Sequence, residues 1–373
     1  MEYLTNLKPF LQDAWKASEF TELTEVQQKA IPEAMDGKNL VCESPTGTGK
    51  TLAYLLPILN SIDEKRMQAQ ALILAPSHEL VMQIHQEVQK WGKDSGINSI
   101  ALIGGANVKN QIEKLKKKPK IVIGTTGRIM ELIKMKKLKM HEVKTIVVDE
   151  FDLMIGNEHI NNVRQVIKST MADRQLLFFS ATLSESTDKV ASELMEDYEV
   201  IRVNQGVVSS SQVEHGYLLS EQRDKIEVLR KLSNVEGIKA LVFFNSLERL
   251  SEAEEKLKYQ KASVEVLAGE SKKTERKHSL DKFRAGKVPM LLTTDVAARG
   301  LDISGVTHVI HFEFPTDAKQ YIHRSGRTGR MGASGTVISI VTKREESFLE
   351  KMAGELKFEV VKKRLHGGKI IAD

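Results

Sequence analysis

Ten short apolar runs recur along the chain in two series of five. The first comprises NLVCES (39–44), ALILAPS (71–77), IVIGTT (121–126), TIVVDE (145–150) and LLFFSAT (176–182). The second comprises ALVFFN (240–245), VEVLAG (264–269), MLLTTD (290–295), HVIHFEF (308–314) and TVISIVT (336–342). Continuous apolar runs without polar alternation suit strands buried on both faces, as in a parallel sheet covered by helices. The segments between them carry helical periodicity: Leu80, Ile84, Val88 and Trp91 are spaced 4, 4 and 3, with Gly92 as a stop. Such alternation reads as βαβ units. The chain is therefore α/β, with two open, mostly parallel sheets flanked by helices.

The two series are separated by IRVNQGVVSSSQVEHG (201–216), where Asn, Gln, Gly and Ser cluster. That composition marks a linker, placed at 205–215 between domains 1–204 and 216–373. The 373 residues are too many for one typical core and comfortable for two. The tail VKKRLHGGKIIAD reads as short, basic and loosely ordered.

Composition excludes several classes. An apolar fraction of 41% with 28% charged residues is that of a globular chain, not a disordered one. No apolar run approaches the roughly 18–20 residues that span a bilayer. The opening MEYLTNLKPFLQDAW lacks a basic-then-apolar leader, so a cytoplasmic protein is expected. Cys42 is the only cysteine and is read as a core residue of a chain in a reducing compartment. The net charge of +5 permits a polyanionic partner without demanding one. KLKKKPK (114–120) and KMKKLKM (134–140) concentrate positive charge, which fits either a solvated surface or contact with a polyanion.

Chemistry enters at SPTGTGKT (44–51), between the strand NLVCE and the helical TLAYLLPIL. A turn through Thr46, Gly47, Thr48 and Gly49 aims backbone N–H groups at phosphate oxygens, with the positive helix end behind them. Lys50 then reaches the β- and γ-phosphates, and the Thr51 hydroxyl binds Mg²⁺. Ser44 stands where the general pattern has its first glycine. Asp149 and Glu150 close the run TIVV at the carboxyl end of a strand, where ligands of open α/β sheets bind. Asp149 is expected to hold Mg²⁺ through water, and Glu150 to position and deprotonate the attacking water. Together the loop and the acid pair indicate a nucleoside triphosphatase. His308 and His311, three apart on a strand, point to opposite sides and make a poor metal pair.

With VVDEFD (147–152), SAT (180–182) and HRSGRTGR (323–330) added, the chain resembles the DEAD-box helicases of superfamily 2 over roughly residues 10–345. SPTGTGKTLAY, LIGGANVK and KMHEVKTIV are similar to stretches of compact members from bacilli. The resemblance implies two tandem RecA-like domains and ATP-dependent remodelling of RNA duplexes or RNA–protein complexes. ATP and Mg²⁺ would be the cofactors. It assigns adenine recognition to FTELTEVQQKAIP (20–32), with Gln27 reading the base and Phe20 packing on it, although Glu19 and Leu23 stand where glycine and proline are usual. Phe10 matches the isolated upstream aromatic. It makes Arg327 and Arg330 arginine fingers, each a type of group worth roughly 10³–10⁵ in rate. It places Asp302 at the ribose or against the fingers, and gives Ser180 and Thr182 the coupling of hydrolysis to domain movement.

RNA contacts are implied at Pro76, Ser77, His78, Gly104, Gly105, Thr125, Gly127 and Arg128, and at Arg276 and Thr294 in the second domain, mostly to sugars and phosphates. Departures cluster here: His78 replaces arginine, Thr126 proline, Ala268 histidine and Lys273 glutamine. Phe151 replaces the alanine of the DEAD tetrapeptide, which predicts altered packing against the SAT segment. Tail-less bacterial relatives commonly act on ribosomal RNA, so the expected partner is structured or ribosomal RNA, with ribosome-assembly proteins, met by a monomer without a membrane. An ATP-gated RNA clamp with little unwinding is the alternative.

Overall fold

The computed structural model describes residues 2–18, 20–45, 47–203, 213–268, 273–298, 303, 305–329 and 333–373. Two compact units divide it, Met1–Asn204 and Gln205–Asp373. In the first, seven strands run parallel: β1 Leu40–Glu43, β2 Ala71–Leu74, β3 Ser99–Leu102, β4 Ile121–Gly124, β5 Thr145–Val148, β6 Gln175–Ser180 and β7 Glu199–Arg202. Their order is β3-β4-β2-β5-β6-β1-β7. Central β2, β4 and β5 are buried at every position, as continuous apolar runs require. The edge strands β3 and β7 are half-exposed or mostly exposed, which explains why neither shows as an apolar run.

Helices cover both faces of this sheet and bury separate apolar clusters there. The helix His78–Trp91 shows how: Leu80, Val81, Ile84, Val88 and Trp91 are buried, at roughly 2 kcal/mol per side chain. Ser77 caps its start by accepting the Leu80 N–H at 3.2 Å, and it stops at Gly92. Trp91 stacks on Phe20 at 6.3 Å and meets Trp15 at 6.1 Å. Among the described residues no helix is long and apolar enough to cross a membrane.

The second unit holds β8 Val213–Leu219, β9 Ala240–Phe244, β10 Val264–Leu267, β11 Met290–Thr294, β12 His308–His311, β13 Gly335–Val341, β14 Val360–His366 and β15 Lys369–Ala372. They lie in the order β10-β11-β9-β12-β13-β8-β14-β15, all parallel except the β14–β15 pair. Two expectations are corrected here. Val213–His215, read as the end of the linker, belong to β8, while 205–212 lie outside the described residues. The sequence VEHGYLL hid this strand because its polar His215 is buried, bonded through Nδ1 to the Tyr321 hydroxyl at 2.8 Å.

The tail is not loose either. It folds into the β14–β15 hairpin and extends the sheet alongside β8. Gly367 and Gly368 take φ of 56° and 73°, the doubly left-handed two-residue turn that glycine pairs make without steric cost. Leu365 and Ile370 pack on the core of the unit, and Lys363 pairs with Glu214.

Candidate nucleotide site and nucleic-acid surface

A parallel sheet delivers the carboxyl ends of all its strands to one edge. In the first unit that edge therefore collects the segments following six strands: Ser44–Lys50, Pro76–His78, Gly104–Gly105, Thr125–Arg128, Asp149–Glu150 and Ser180–Thr182. Sequence positions up to about 140 apart thus become neighbours.

The phosphate loop is braced from within. The Ser44 hydroxyl meets that of Thr48 at 2.7 Å, and Thr48 also donates to the Pro45 carbonyl at 2.8 Å. Ser44 needs no glycine because its φ is not positive; Gly47 and Gly49 carry the left-handed turns, at 82° and 91°. A Cβ on Gly49 would come within 2.4 Å of Gln27 Nε2, so this position admits only glycine. Gln27 itself is buried. Its Oε1 accepts the Thr24 N–H at 3.0 Å and its Nε2 donates to the Gly49 carbonyl at 3.1 Å, welding the segment expected to recognise adenine to the Gly-rich loop. One N–H and one lone pair of the carboxamide remain beyond these two bonds. Phe20 and Phe10 both pack, half-buried, against the core, Phe20 with one ring face on Trp91.

Lys50 begins the helix Lys50–Ser61 and is 9% exposed, its ammonium donating to the Ser44 and Pro45 carbonyls. Asp149, 4% exposed, accepts from the Tyr54 hydroxyl at 2.8 Å and from the Glu150 N–H at 2.9 Å. Tyr54 also lies within hydrogen-bonding reach of Thr51, so one buried hydroxyl joins the two side chains expected at the metal. Burial pushes Lys50 down and Asp149 up, each toward neutrality, and the opposite charge of the partner offsets part of both shifts. Cys42, next to this loop, is pushed up to about 12 by burial, the behaviour of a core thiol.

Glu150 holds a left-handed backbone, φ 51°, at the strand-to-helix turn. Behind it, Asp152 receives the Thr182 hydroxyl on Oδ2 at 3.1 Å, its N–H reaches Ser180 Oγ at 3.3 Å, and Ser180 donates to the Thr182 carbonyl at 2.7 Å. The Asp-Glu-Phe-Asp tetrapeptide and the Ser-Ala-Thr segment are therefore one hydrogen-bonded unit. Phe151 does not disturb it. Its ring turns into the core against Phe178 at 4.4 Å, so the expected change in packing falls on the apolar layer and not on the SAT contact.

In the second unit, Arg324 is a heavily bonded, buried side chain. It is 1% exposed, forks onto Asp295 at 2.8 and 2.6 Å, and donates to the Glu313 carbonyl and Asn245 Oδ1 at 2.9 and 2.7 Å. Its guanidinium lies over Phe243. Three residues on, Arg327 is 9% exposed and its Nε donates to the His323 carbonyl. Arg276 donates to the carbonyls of Ala268 and Ala297, and buried Thr294 accepts the Ala297 N–H at 3.4 Å. Thr46, Asp302 and Arg330 lie outside the described residues. His308 and His311 bond separately to Thr307 and Ser339, and no metal-holding cluster occurs among the described residues.

Residues 24–190 match the DEAD/DEAH box helicase model and residues 224–332 the helicase conserved C-terminal domain. The chain is 51% identical to the probable ATP-dependent RNA helicase YfmL of Bacillus subtilis over 99% of its own length and 98% of that protein. It is 49% identical to the DEAD-box ATP-dependent RNA helicase CshC of Bacillus cereus, covering 99% and 94%. Among solved structures, S. cerevisiae Dbp5 bound to RNA and ADP BeF3 superposes with a TM-score of 0.88 at 28% identity, over 97% of this chain and 94% of that one. The chain belongs to the DEAD-box ATP-dependent RNA helicases.

In this helicase the positions assigned to RNA do not all present themselves in the same way. His78 is exposed and its imidazole lies 3.3 Å from where a Cβ on Gly104 would stand, bringing the APSHEL and GG segments together. Gly127 is exposed and Thr125 half-buried. Arg128 is buried: both terminal nitrogens donate to the Ala106 carbonyl, at 3.1 and 3.2 Å, and Nε pairs with Glu131 at 2.8 Å. It anchors the loop after Gly105, as Gln111 does on the other flank by donating to the Ile103 carbonyl at 3.0 Å. Thr126 replaces the usual proline and its hydroxyl meets His159 Nδ1 at 3.1 Å. Sequence reasoning missed Tyr54, Arg324 and Gln111. Tyr54 falls one helical turn after Thr51, but in an apolar helix it reads as core. Arg324 is indistinguishable by spacing from the two arginines that follow it.

Proposed function

We propose that this helicase hydrolyses ATP at Lys50, Asp149 and Glu150 to open short RNA duplexes locally, and that Arg327 and Arg330 complete the site when the two units close on nucleotide and RNA. The observation that carries this reading is the buried Lys50–Asp149 pair at one carboxyl edge. Among the described residues Lys50 is held there by the Ser44 and Pro45 carbonyls, which phosphate oxygens can replace. Gln27 reads the adenine with its remaining donor and acceptor, and Phe20 backs the base with its outer face. Thr51 and Asp149 offer the hard oxygen donors that Mg²⁺ takes together with phosphate oxygens. When bound, that ion neutralises charge on the transferring phosphoryl group. Glu150 accepts the proton of the attacking water as the bond from the γ-phosphorus to the bridging oxygen breaks. Asp302 meets the ribose or the fingers.

The Asp152–Ser180–Thr182 bonds tie the Asp-Glu-Phe-Asp tetrapeptide to the segment that couples hydrolysis to movement. RNA lies along Pro76, Ser77, His78, Gly104, Gly105, Thr125 and Gly127, and along Arg276 and Thr294, through sugar and phosphate contacts that distinguish RNA by its 2′-hydroxyls. Arg128 shapes this surface from behind. A bent single strand cannot remain paired, so closure parts a few base pairs and hydrolysis reopens the units. The substrate is structured or ribosomal RNA, met with ribosome-assembly proteins in the cytoplasm by a monomer.

Glu150→Gln is the direct test. RNA-stimulated ATPase should collapse by at least about 10²-fold while ATP-dependent RNA binding persists. Unchanged turnover contradicts the assignment of the base. Strand displacement on a short RNA duplex separates a helicase from an ATP-gated clamp.

A further inference from the structure

The loops on the opposite, amino-terminal edge of the first sheet carry a charge pattern that the nucleotide site and its RNA surface do not use. KLKKKPK (114–120) and KMKKLKM (134–140) hold nine lysines and no acid. The first ends directly before β4 and the second runs toward β5, so both lie at the end of the sheet away from Ser44, Asp149 and Gly104. About 13 Å of four-residue strand separates the two edges.

A ladder of backbone bonds joins these loops into one surface. The Lys120 carbonyl accepts the Gln70 N–H, Gln70 accepts from Lys144, and Lys144 from Gln175, each at 2.8 Å. Asn98 Nδ2 donates to the Lys117 carbonyl at 3.1 Å. Strands β4 and β5 flank β2, which sets the strand starts that the two lysine loops lead into roughly 10 Å apart. Both are fixed in place, the first by buried Lys120 and the second by buried Leu138 and Met140.

Charge on this edge is only partly compensated. Arg66 pairs with Asp63 and Glu142, Lys116 with Glu113 and Lys144 with Asp173. Lys117, Lys118, Lys136, Lys137 and Lys139 are exposed and make no ion pair among the described residues. Lys118 and Lys136 sit at left-handed turns, φ 52° and 56°, just past the ends of their helices.

We infer that this edge is a second RNA-binding surface, which holds the phosphates of a structured arm of the same RNA whose single strand enters the motif-bearing edge. Met67, Met135 and Met171 are exposed on its loops, but it carries no exposed Tyr, Trp or Phe and is rich in lysine, which interface cores are depleted in, so it fits sequence-independent neutralisation of phosphates. The inference rests on the RNA-helicase reading above.

The test combines Lys117→Gln, Lys118→Gln, Lys136→Gln, Lys137→Gln and Lys139→Gln in the full chain. It compares a short single-stranded RNA with the same strand flanked by a hairpin. For the hairpin-flanked RNA, affinity at low salt should fall about 10-fold or more, and the dependence of log Kd on log salt should become shallower by about 2. ATPase stimulation by the short strand should stay as in the parent; its loss in the parent itself would instead defeat the underlying reading. Variants restricted to the first two or the last three lysines should each give part of the effect. Unchanged affinity and salt slope for the flanked RNA overturn the inference, whichever other polyanion the lysines meet. An equal loss for both RNAs also overturns it, because the lysines would then act only as a general field.

Discussion

Each unit buries a cation beneath the carboxyl edge of its sheet, and the two hold it in opposite ways. Lys50 has as partners two carbonyls of its own loop, with Asp149 as the nearby counter-charge. Arg324 is gripped by a carboxylate fork, a carboxamide and a carbonyl from three separate segments, and lies over an aromatic ring. The first set of partners can be exchanged for phosphate oxygens at little cost. The second cannot be surrendered without stripping the Asp295 carboxylate of its fork and leaving it the Gln320 amide, which donates at 2.7 Å. A buried charge therefore reports a working group or a scaffold according to whether its partners are replaceable, and burial alone does not tell the two apart.

The sharpest way to break this comparison is to remove both cations. Arg324→Met should destabilise the second unit by about 3 kcal/mol, read by denaturant unfolding, because Asp295 loses its fork. Lys50→Met should abolish ATPase while costing about 1 kcal/mol or less, since only two loop carbonyls lose a donor. Equal stability losses would erase the distinction.

Acid should separate the units next. His311 is fully buried, and burial, with the charges of Arg324 and His215 beside it, holds its imidazole well below the ordinary value of 6.5. The unfolded side chain takes up a proton below about 6.5 and the folded one does not, so stability is present at neutral pH and falls as pH drops, by up to about 1.4 kcal/mol per pH unit. His308 in the same unit is shifted the same way, as is half-buried His85 in the first, by burial in both cases. The second unit should therefore lose more on acidification, and His311→Gln should flatten its slope. A slope unaltered by that change assigns the sensitivity elsewhere.

The smallest effect belongs to the tail. Gly368→Ala meets no neighbour within 4 Å, so the φ of 73° alone is penalised, at about 1 kcal/mol. A larger loss would mean that the hairpin supports the whole sheet.

Much of the fold was legible because all ten apolar runs are strands, nine of them interior to their sheets and only β10 at an edge, and a run of Val, Ile, Leu and Phe states such burial directly. The strands without that mark sit at edges, like β3, β7 and β15, or conceal a polar residue, like β8 with His215. The Gly-Gly pair at 367–368 did carry the signal of a two-residue hairpin, but the lysines around it read as a solvated tail. At the site, the phosphate loop and the acid pair could be named from spacing. The bracing could not: that Gln27 bonds to the Gly49 carbonyl, Tyr54 to Asp149 and Arg128 to Ala106 follows from sheet order, which brings residues 22 to 95 positions apart into contact.

The linear order of residues by itself determined the kind of strands, the phosphate loop, the paired acids and membership of a helicase family, because each depends on local pattern or on motifs read in sequence. The tertiary structure decided which buried charges have replaceable partners and which are locked into the scaffold, that Arg128 faces inward, and that two separate lysine runs come to the same edge of one sheet. Those outcomes depend on which strands are neighbours and on what each side chain finds as a partner, and no local pattern encodes either.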